Sequence, residues 1–226
     1  MNKLFGFVLA TIVFISCGKD NYVGPTAGLY GTFIDAQTNK PLEQDIILGT
    51  TIELREAGYS PVTPQFLIVK NDGTYANSLL FANSYNVNVV RGNFIGIPPQ
   101  DIVIEGQTKL DFTVTPYISI KEASIVKSGT KVIATFKMEQ NVPNTIRKIG
   151  LYAHSDSRVG EPMRLVTSER TFTTVSNPTT VYSLEIDLPS NSSILKPGFE
   201  YFFRVGAAIN VPEARLNYAP AVKIAL

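Results

Sequence analysis

Along most of this chain apolar and polar residues alternate with a period of two, and that habit limits it to sheet. Leu110, Phe112 and Val114 alternate with Asp111, Thr113 and Thr115, and Tyr85, Val87 and Val89 repeat the pattern. Ile52 and Leu54 face away from Glu53 and Arg55. Val132, Ala134, Phe136 and Met138 form a further face, as do Leu184, Ile186 and Leu188, and Tyr201, Phe203, Val205 and Ala207. A period of two sends successive side chains to opposite faces, so each stretch reads as a half-buried antiparallel strand. Between these stretches stand turn signals: Thr38-Asn39-Lys40-Pro41, Asn71-Asp72-Gly73, Arg91-Gly92-Asn93, Glu105-Gly106, Ser128-Gly129 and Lys196-Pro197-Gly198. No window of ten residues carries a helical period. The fold class is all-β.

Thr115-Pro116-Tyr117 reads as a hinge, with about seven strands on each side, the number a sandwich domain needs. The expected architecture is two tandem antiparallel β-sandwiches, residues 28–116 and 117–226, behind a lipoprotein signal peptide. That signal occupies residues 1–16. Lys3 supplies a positive start, and Leu4 to Ile15 is almost wholly apolar. The run is roughly half of the ~20 residues a membrane-spanning helix needs, the size of a secretory signal's core. Ser16 stands directly before Cys17, the only cysteine. A signal ending at a lone cysteine resembles the lipobox of bacterial lipoproteins, although Phe14 replaces the usual first-position Leu. The resemblance implies that Cys17 carries lipid and that residues 17–27 form a short tether.

Charge narrows the partners. The chain has 20 basic and 19 acidic side chains, and removing Lys3 with the signal leaves 19 of each. A neutral chain offers no basic surface to displace the counterions of nucleic acid. Nor would it adhere electrostatically to anionic lipid, so anchoring falls to the acyl chains on Cys17, two of which suffice for stable attachment. With Cys17 lipidated no thiol remains for a disulfide, and stability must come from burial.

Gly28-Leu29-Tyr30-Gly31-Thr32-Phe33-Ile34-Asp35, the turn at Thr38–Leu42, Thr51-Ile52-Glu53-Leu54-Arg55, Asn71-Asp72-Gly73-Thr74-Tyr75 and Ser84–Val89 resemble a carboxypeptidase-regulatory-like, transthyretin-type sandwich. Asn39 stands where that family usually has Gly, a mild change because Asn tolerates the left-handed conformation. Residues 117–226 resemble a fibronectin-type-III-like sandwich, most clearly over Leu195–Ala207, where Tyr201 would be the corner tyrosine. The early core Trp of that family is missing, leaving Phe136 or Tyr152 to fill its space. Taken in this order behind a lipobox, with Arg55–Tyr59 and Asp111–Tyr117, the pair is similar to a family of Bacteroidetes outer-membrane lipoproteins of unassigned function. Its members often accompany glycan-uptake systems of the starch-utilisation type. The resemblance implies an outer-membrane, cell-surface location, to which Lys19-Asp20 adds a short charged export signal, and a transporter complex as partner. It transfers no active-site residue.

Chemistry-bearing residues are sparse. His154, the sole histidine, would need a convergent serine and carboxylate to serve as a general base, and Ser155 and Asp156 lie too close in sequence. One His without a free Cys makes no zinc site. Asn71-Asp72-Gly73 lacks the later ligand of a calcium loop and reads as a β-turn. Glycoside hydrolysis needs two facing acids; Asp101, Glu105, Asp111, Glu161, Glu169, Glu185 and Asp187 are scattered, several of them on the polar faces of strands. No catalytic residue, cofactor or metal is expected. Aromatic rings stack on the apolar faces of sugars, and loops on a rigid sandwich are where binding groups sit. Tyr59, Phe66 and Phe94 escape the core-facing alternation and are the candidate ligand contacts, the alternative for each being packing at the core's edge. The expected function is a non-catalytic, membrane-anchored glycan-binding or accessory module; the alternative is a structural or adhesive envelope spacer that binds other proteins. The anchoring expectation is direct to check: Cys17→Ala should release the protein from the membrane fraction or leave it unprocessed. Radiolabelled palmitate should enter the wild type alone, and equal labelling of both would contradict a lipid on Cys17.

Overall fold

The computed structural model describes residues 24–226, so Cys17, Lys19 and Asp20 lie outside the described residues. The first sandwich holds β1 (Ala27–Asp35), β2 (Thr51–Glu56), β3 (Gln65–Ile68), β4 (Thr74–Leu80), β5 (Asn83–Arg91), β6 (Gln100–Ile104), β7 (Gln107–Lys109) and β8 (Phe112–Val114). One sheet runs β4-β1-β7 with β8 also beside β1, and the other runs β3-β2-β5-β6. Between them Leu29, Phe33, Ile52, Leu54, Tyr75, Tyr85, Val87 and Phe112 close a core. The second sandwich holds β9 (Ile118–Ser128), β10 (Lys131–Gln140), β11 (Ile146–His154), β12 (Val166–Thr171), β13 (Tyr182–Asp187), β14 (Glu200–Ile209), β15 (Asn217–Tyr218) and β16 (Val222–Ala225). Its sheets are β13-β10-β9 and β12-β11-β14-β15, with β16 on β14.

Local chemistry explains several of these elements. Asn39 takes φ 54°, the left-handed turn residue its position called for. The Tyr201 hydroxyl accepts the Lys196 N–H at 3.0 Å and donates to the Ile194 carbonyl at 3.0 Å, pinning the turn that enters β14. Phe136 fills the second core beside Tyr182, whereas Tyr152 points out of the opposite face into a smaller cluster with Val159, Leu216 and Tyr218. Of the two aromatics that could stand for the missing Trp, Phe136 is the one inside the main core.

The structure refines three readings. First, the sandwiches are antiparallel but for β7 and β8, which both run parallel to β1. The 110–115 alternation keeps Leu110, Phe112 and Val114 toward the core, but the ladder is interrupted between β7 and β8: Leu110 N–H bonds the Tyr30 carbonyl, and the Asp111 carboxylate takes the Thr32 N–H at 2.9 Å. The Leu110 carbonyl comes down over Gly31, where any Cβ would collide with it, and accepts from the Tyr75 hydroxyl at 2.5 Å. Secondly, Phe94 is not a loop aromatic free for ligand. It is 3% exposed and stacked on Phe33 with centroids 5.3 Å apart. Its ring folds back over Gly92, where a Cβ would sit 2.6 Å from it, and its backbone bridges to Pro116. A turn signal before an aromatic does not say which way the ring points; here the open end of the core took it.

The third point concerns Thr115-Pro116-Tyr117, which lies between the last strand of the first sandwich and the first of the second, and is a fastened joint. Tyr117 N–H bonds the Asn93 carbonyl at 3.0 Å, and Asn141 donates to the Pro116 carbonyl at 2.8 Å. Beside the joint Asn217 Nδ2 donates to the Asn93 carbonyl at 2.7 Å, and Asn93 Nδ2 answers to the Leu216 carbonyl at 3.1 Å. The long β1–β2 loop crosses onto the outer face of the second sandwich. There Arg204, fully buried, pairs with Glu43 and donates to the carbonyls of Gln44, Val159 and Ala219. Burial raises the Glu43 pKa and lowers that of Arg204, each toward its neutral form, and their ion pair opposes both shifts.

Phe94→Ala should cost about 3–5 kcal/mol in urea unfolding, the usual toll for emptying a buried phenylalanine site. Tyr59→Ala, at an exposed loop position, should stay within about 0.5 kcal/mol of wild type. Tyr201→Phe should lose about 1–2 kcal/mol, because one hydroxyl serves two backbone groups; an unchanged midpoint would contradict its corner role.

Candidate functional site

Two of the three candidate aromatics sit on one element, the β2–β3 hairpin. Tyr59 lies at its tip, 60% exposed, and lines a shallow hollow of about 300 Å³ with Glu56, Pro61, Val62, Thr63 and Gln65. Gly58 precedes it with φ 93°, a value that favours glycine and turns the chain at the tip. The hairpin is held from below: Asn83 Nδ2 donates to Glu56 at 3.0 Å and to the Ala57 carbonyl at 3.1 Å. Next to it the Tyr85 hydroxyl, pushed up to about 12 by burial and then by Glu56, donates to the Phe81 carbonyl at 3.0 Å. Phe66 is in strand β3 and not in the loop its sequence suggested. It is 57% exposed, because Leu67 takes the core side and alternation sends Phe66 outward.

Register places a set of polar groups beside Phe66. Glu53 faces Phe66 on one side and Asn88 on the other. One rung further Arg55 faces Asn86, and Asn86 faces Asp101. Thus Phe66, Glu53, Arg55, Asn86, Asn88 and Asp101 share the outer face of the β3-β2-β5-β6 sheet. Glu53 and Arg55 form an ion pair, and Asn86 Nδ2 donates to Asp101 at 2.7 Å. The pattern Ser84-x-Asn86-x-Asn88 was visible in the sequence as the polar half of β5, but only register shows that it meets Glu53, Arg55 and Phe66. Such a surface presents amide and carboxylate groups in the plane of a sheet with an aromatic ring at its margin. It is a flat platform bordered by the Tyr59 hollow, not a single concavity.

Other features suit a ligand less well. A groove of about 570 Å³ between the sandwiches is lined by Pro41, Leu42, Ile118, Ile120 and Pro220, with Asp35, Glu43, Asp72 and Lys121 among its charged groups. As with the pairs on the platform, those four are held within the protein: Asp35 with Gln37 N–H and Thr38, Glu43 with Arg204, Asp72 with Thr74, and Lys121 with Glu139; what the groove lacks is an exposed ring. Its one aromatic, Tyr218, is buried and donates to Asp45 at 3.0 Å. His154 uses Nδ1 to accept the Asp156 N–H at 2.9 Å, and Asp156 is paired with Arg158. Glu161 and Glu169 do converge, both on Lys148. Partial burial would raise Glu169, but hydrogen bonds from Lys148 and Tyr152 hold its carboxyl below the usual value. A carboxylate held ionised in this way is poorly suited to give up a proton as a general acid. The crevice beside Glu161 measures about 20 Å³, room for one water and not for a sugar.

Comparison with known proteins gives a family and little chemistry. Residues 27–115 match the model described as protein of unknown function (DUF3823) N-terminal domain, and residues 118–223 match domain of unknown function (DUF3823_C). No curated protein matches the chain. A crystal structure from Bacteroides uniformis, described as a "putative carbohydrate binding protein", is 34% identical. The match covers 90% of this chain and 100% of that one, with a TM-score of 0.82. A DUF3823 family protein from Parabacteroides merdae is 21% identical over 89% of this chain and 100% of its own, with a TM-score of 0.76. Another from Bacteroides ovatus is 22% identical over 88% and 99%, with a TM-score of 0.73. These last two share the fold. With both halves matched in order and a relative alike over nearly its whole length, this chain belongs to the DUF3823 family.

Proposed function

We propose that this chain is a non-catalytic glycan-binding module, anchored through a lipid on Cys17 to the outer membrane and working beside a polysaccharide transporter. The observation that carries the reading is the outer face of the β3-β2-β5-β6 sheet, where Phe66 meets amide and carboxylate groups on neighbouring strands. Sugar hydroxyls pair with such groups in both directions, and the ring supplies an apolar stacking surface. The description of the 34% identical Bacteroides uniformis relative supports the same class of ligand. Neutral overall charge also fits a neutral carbohydrate.

The rigid joint between the sandwiches favours a second reading, an envelope spacer, since a spacer must transmit its length without bending. The two readings part on ligand binding. A glycan array on the chain from residue 18 onward should select an oligosaccharide. Isothermal titration should then show Phe66→Ala and Tyr59→Ala each weakening it roughly thirtyfold, the effect of about 2 kcal/mol at a stacking residue. Affinity should hold as salt is raised, because no net charge attraction is being screened. Silence across the array would favour the spacer, and binding that survives both substitutions would move the site off this face.

A further inference from the structure

One end of the first sandwich carries large apolar side chains that the core does not use. In β4 Leu80 is fully buried, yet its neighbours Leu79 and Phe81 are 72% and 47% exposed. They cannot all turn inward: Leu80 pairs with Ala27 at the very start of β1, and the Phe81 carbonyl is tied to the Tyr85 hydroxyl. Register gathers more of this kind at the same end. Asn83 faces Ile104 and Ser84 faces Val103, itself exposed, while Ser84 accepts the Ala57 N–H that closes the Tyr59 hairpin. The β6–β7 turn closes on the same place through Gly28 N–H and the Gly106 carbonyl. Tyr59, Leu79, Phe81 and Val103 thus crown the end at which β1 begins, whereas the joint to the second sandwich lies at its Asp35 end.

The chain itself says what lies opposite this crown. From Cys17 to Ala27 is ten residues, which reach at most about 35 Å when fully extended and on average nearer 18 Å as a flexible coil. If Cys17 is lipidated, as the proposed function holds, the bilayer surface is held within that distance of Ala27 and of the apolar side chains around it. Glu56 and Glu105 stand at this end, and Arg55 beside them is paired with Glu53, so no basic cluster draws it to anionic lipid. We propose that Leu79 and Phe81 dock into the headgroup–acyl boundary of the membrane and set the protein upright on it. The joint at Arg204 would then point the second sandwich away from the membrane. Aromatic and aliphatic groups at that depth bury apolar area.

The chain contains no tryptophan, so one introduced indole reports alone. The chain from Cys17 onward would be coupled through its single thiol to maleimide-bearing lipid in phosphatidylcholine vesicles. Phe81→Trp would be compared with Phe199→Trp, an exposed position beside the C-terminal residue Leu226 in the other sandwich. The expected result is a blue-shifted emission from Phe81→Trp, quenched at least threefold more by brominated acyl chains than that of Phe199→Trp, and unaffected by salt. Leu79→Trp serves as the second probe and should behave likewise. Equal quenching of both sandwiches would mean a protein lying flat, and quenching of neither would leave the crown to a protein partner; either result overturns the proposal. Because the coupling is chemical, the vesicle result stands apart from lipidation in cells, which the palmitate labelling of Cys17 tests. Leu79→Ser with Phe81→Ser should leave the cellular protein in the membrane fraction, while Cys17→Ala should not.

Discussion

A guanidinium with no access to water, Arg204, holds the two sandwiches in one arrangement. It lies on the face of β14 that points away from the second core, where an isolated domain would leave it in solvent. The first domain covers it with Glu43 and the Gln44 carbonyl, and the second closes around it with the carbonyls of Ala219 and Val159 and the ring of Tyr218, 4.4 Å from its carbon. A charge taken fully out of water is tolerated only when paired and hydrogen-bonded on most sides. The partners of this one come from both domains, so separating them strands the charge. Asp45 with Tyr218, and Asn93 with Asn217, repeat the same logic at either side.

That joint matters for function because it fixes direction. The first sandwich is fastened at the Asp35 end of β1, while its opposite end carries exposed apolar groups and the entry of the chain. Between these ends runs the sheet face with Phe66, Glu53, Arg55, Asn86, Asn88 and Asp101. Nothing in this arrangement requires charge attraction, in keeping with a chain of balanced composition.

Most of the sheet architecture was legible in the sequence, since period-two alternation is a property of single strands. Asn39 and Tyr201 were legible too, because their roles are set by neighbours a few residues away. What escaped was whatever depends on distant partners. Phe94 looked free after Arg91-Gly92-Asn93, yet its ring stacks on Phe33 in the core. Leu110 faces the core as the alternation implies, but the break in the ladder, where the Asp111 carboxylate takes the place of a backbone acceptor, depends on Thr32 far away in sequence. Arg204 stood in Tyr201-Phe202-Phe203-Arg204-Val205-Gly206-Ala207-Ala208, a stretch apolar on both faces. That continuous apolar run was a signal that both faces are covered, and so that the arginine must have a partner. Of the candidate contacts, Tyr59 and Phe66 are exposed on one hairpin, but the polar row beside Phe66 needed strand register to emerge.

Calorimetry of the described two-domain chain, wild type against Arg204→Met, addresses the central claim most directly. Methionine keeps much of the apolar stem and removes the charge, so the second core is undisturbed while Glu43 and four carbonyls, those of Gln44, Asn71, Val159 and Ala219, lose their donor. The account predicts one cooperative transition for the wild type, and for the variant a lower, broadened profile resolving into two as the sandwiches melt independently. Two transitions already present in the wild type, or a variant that melts as a single unit at an unchanged temperature, would contradict it.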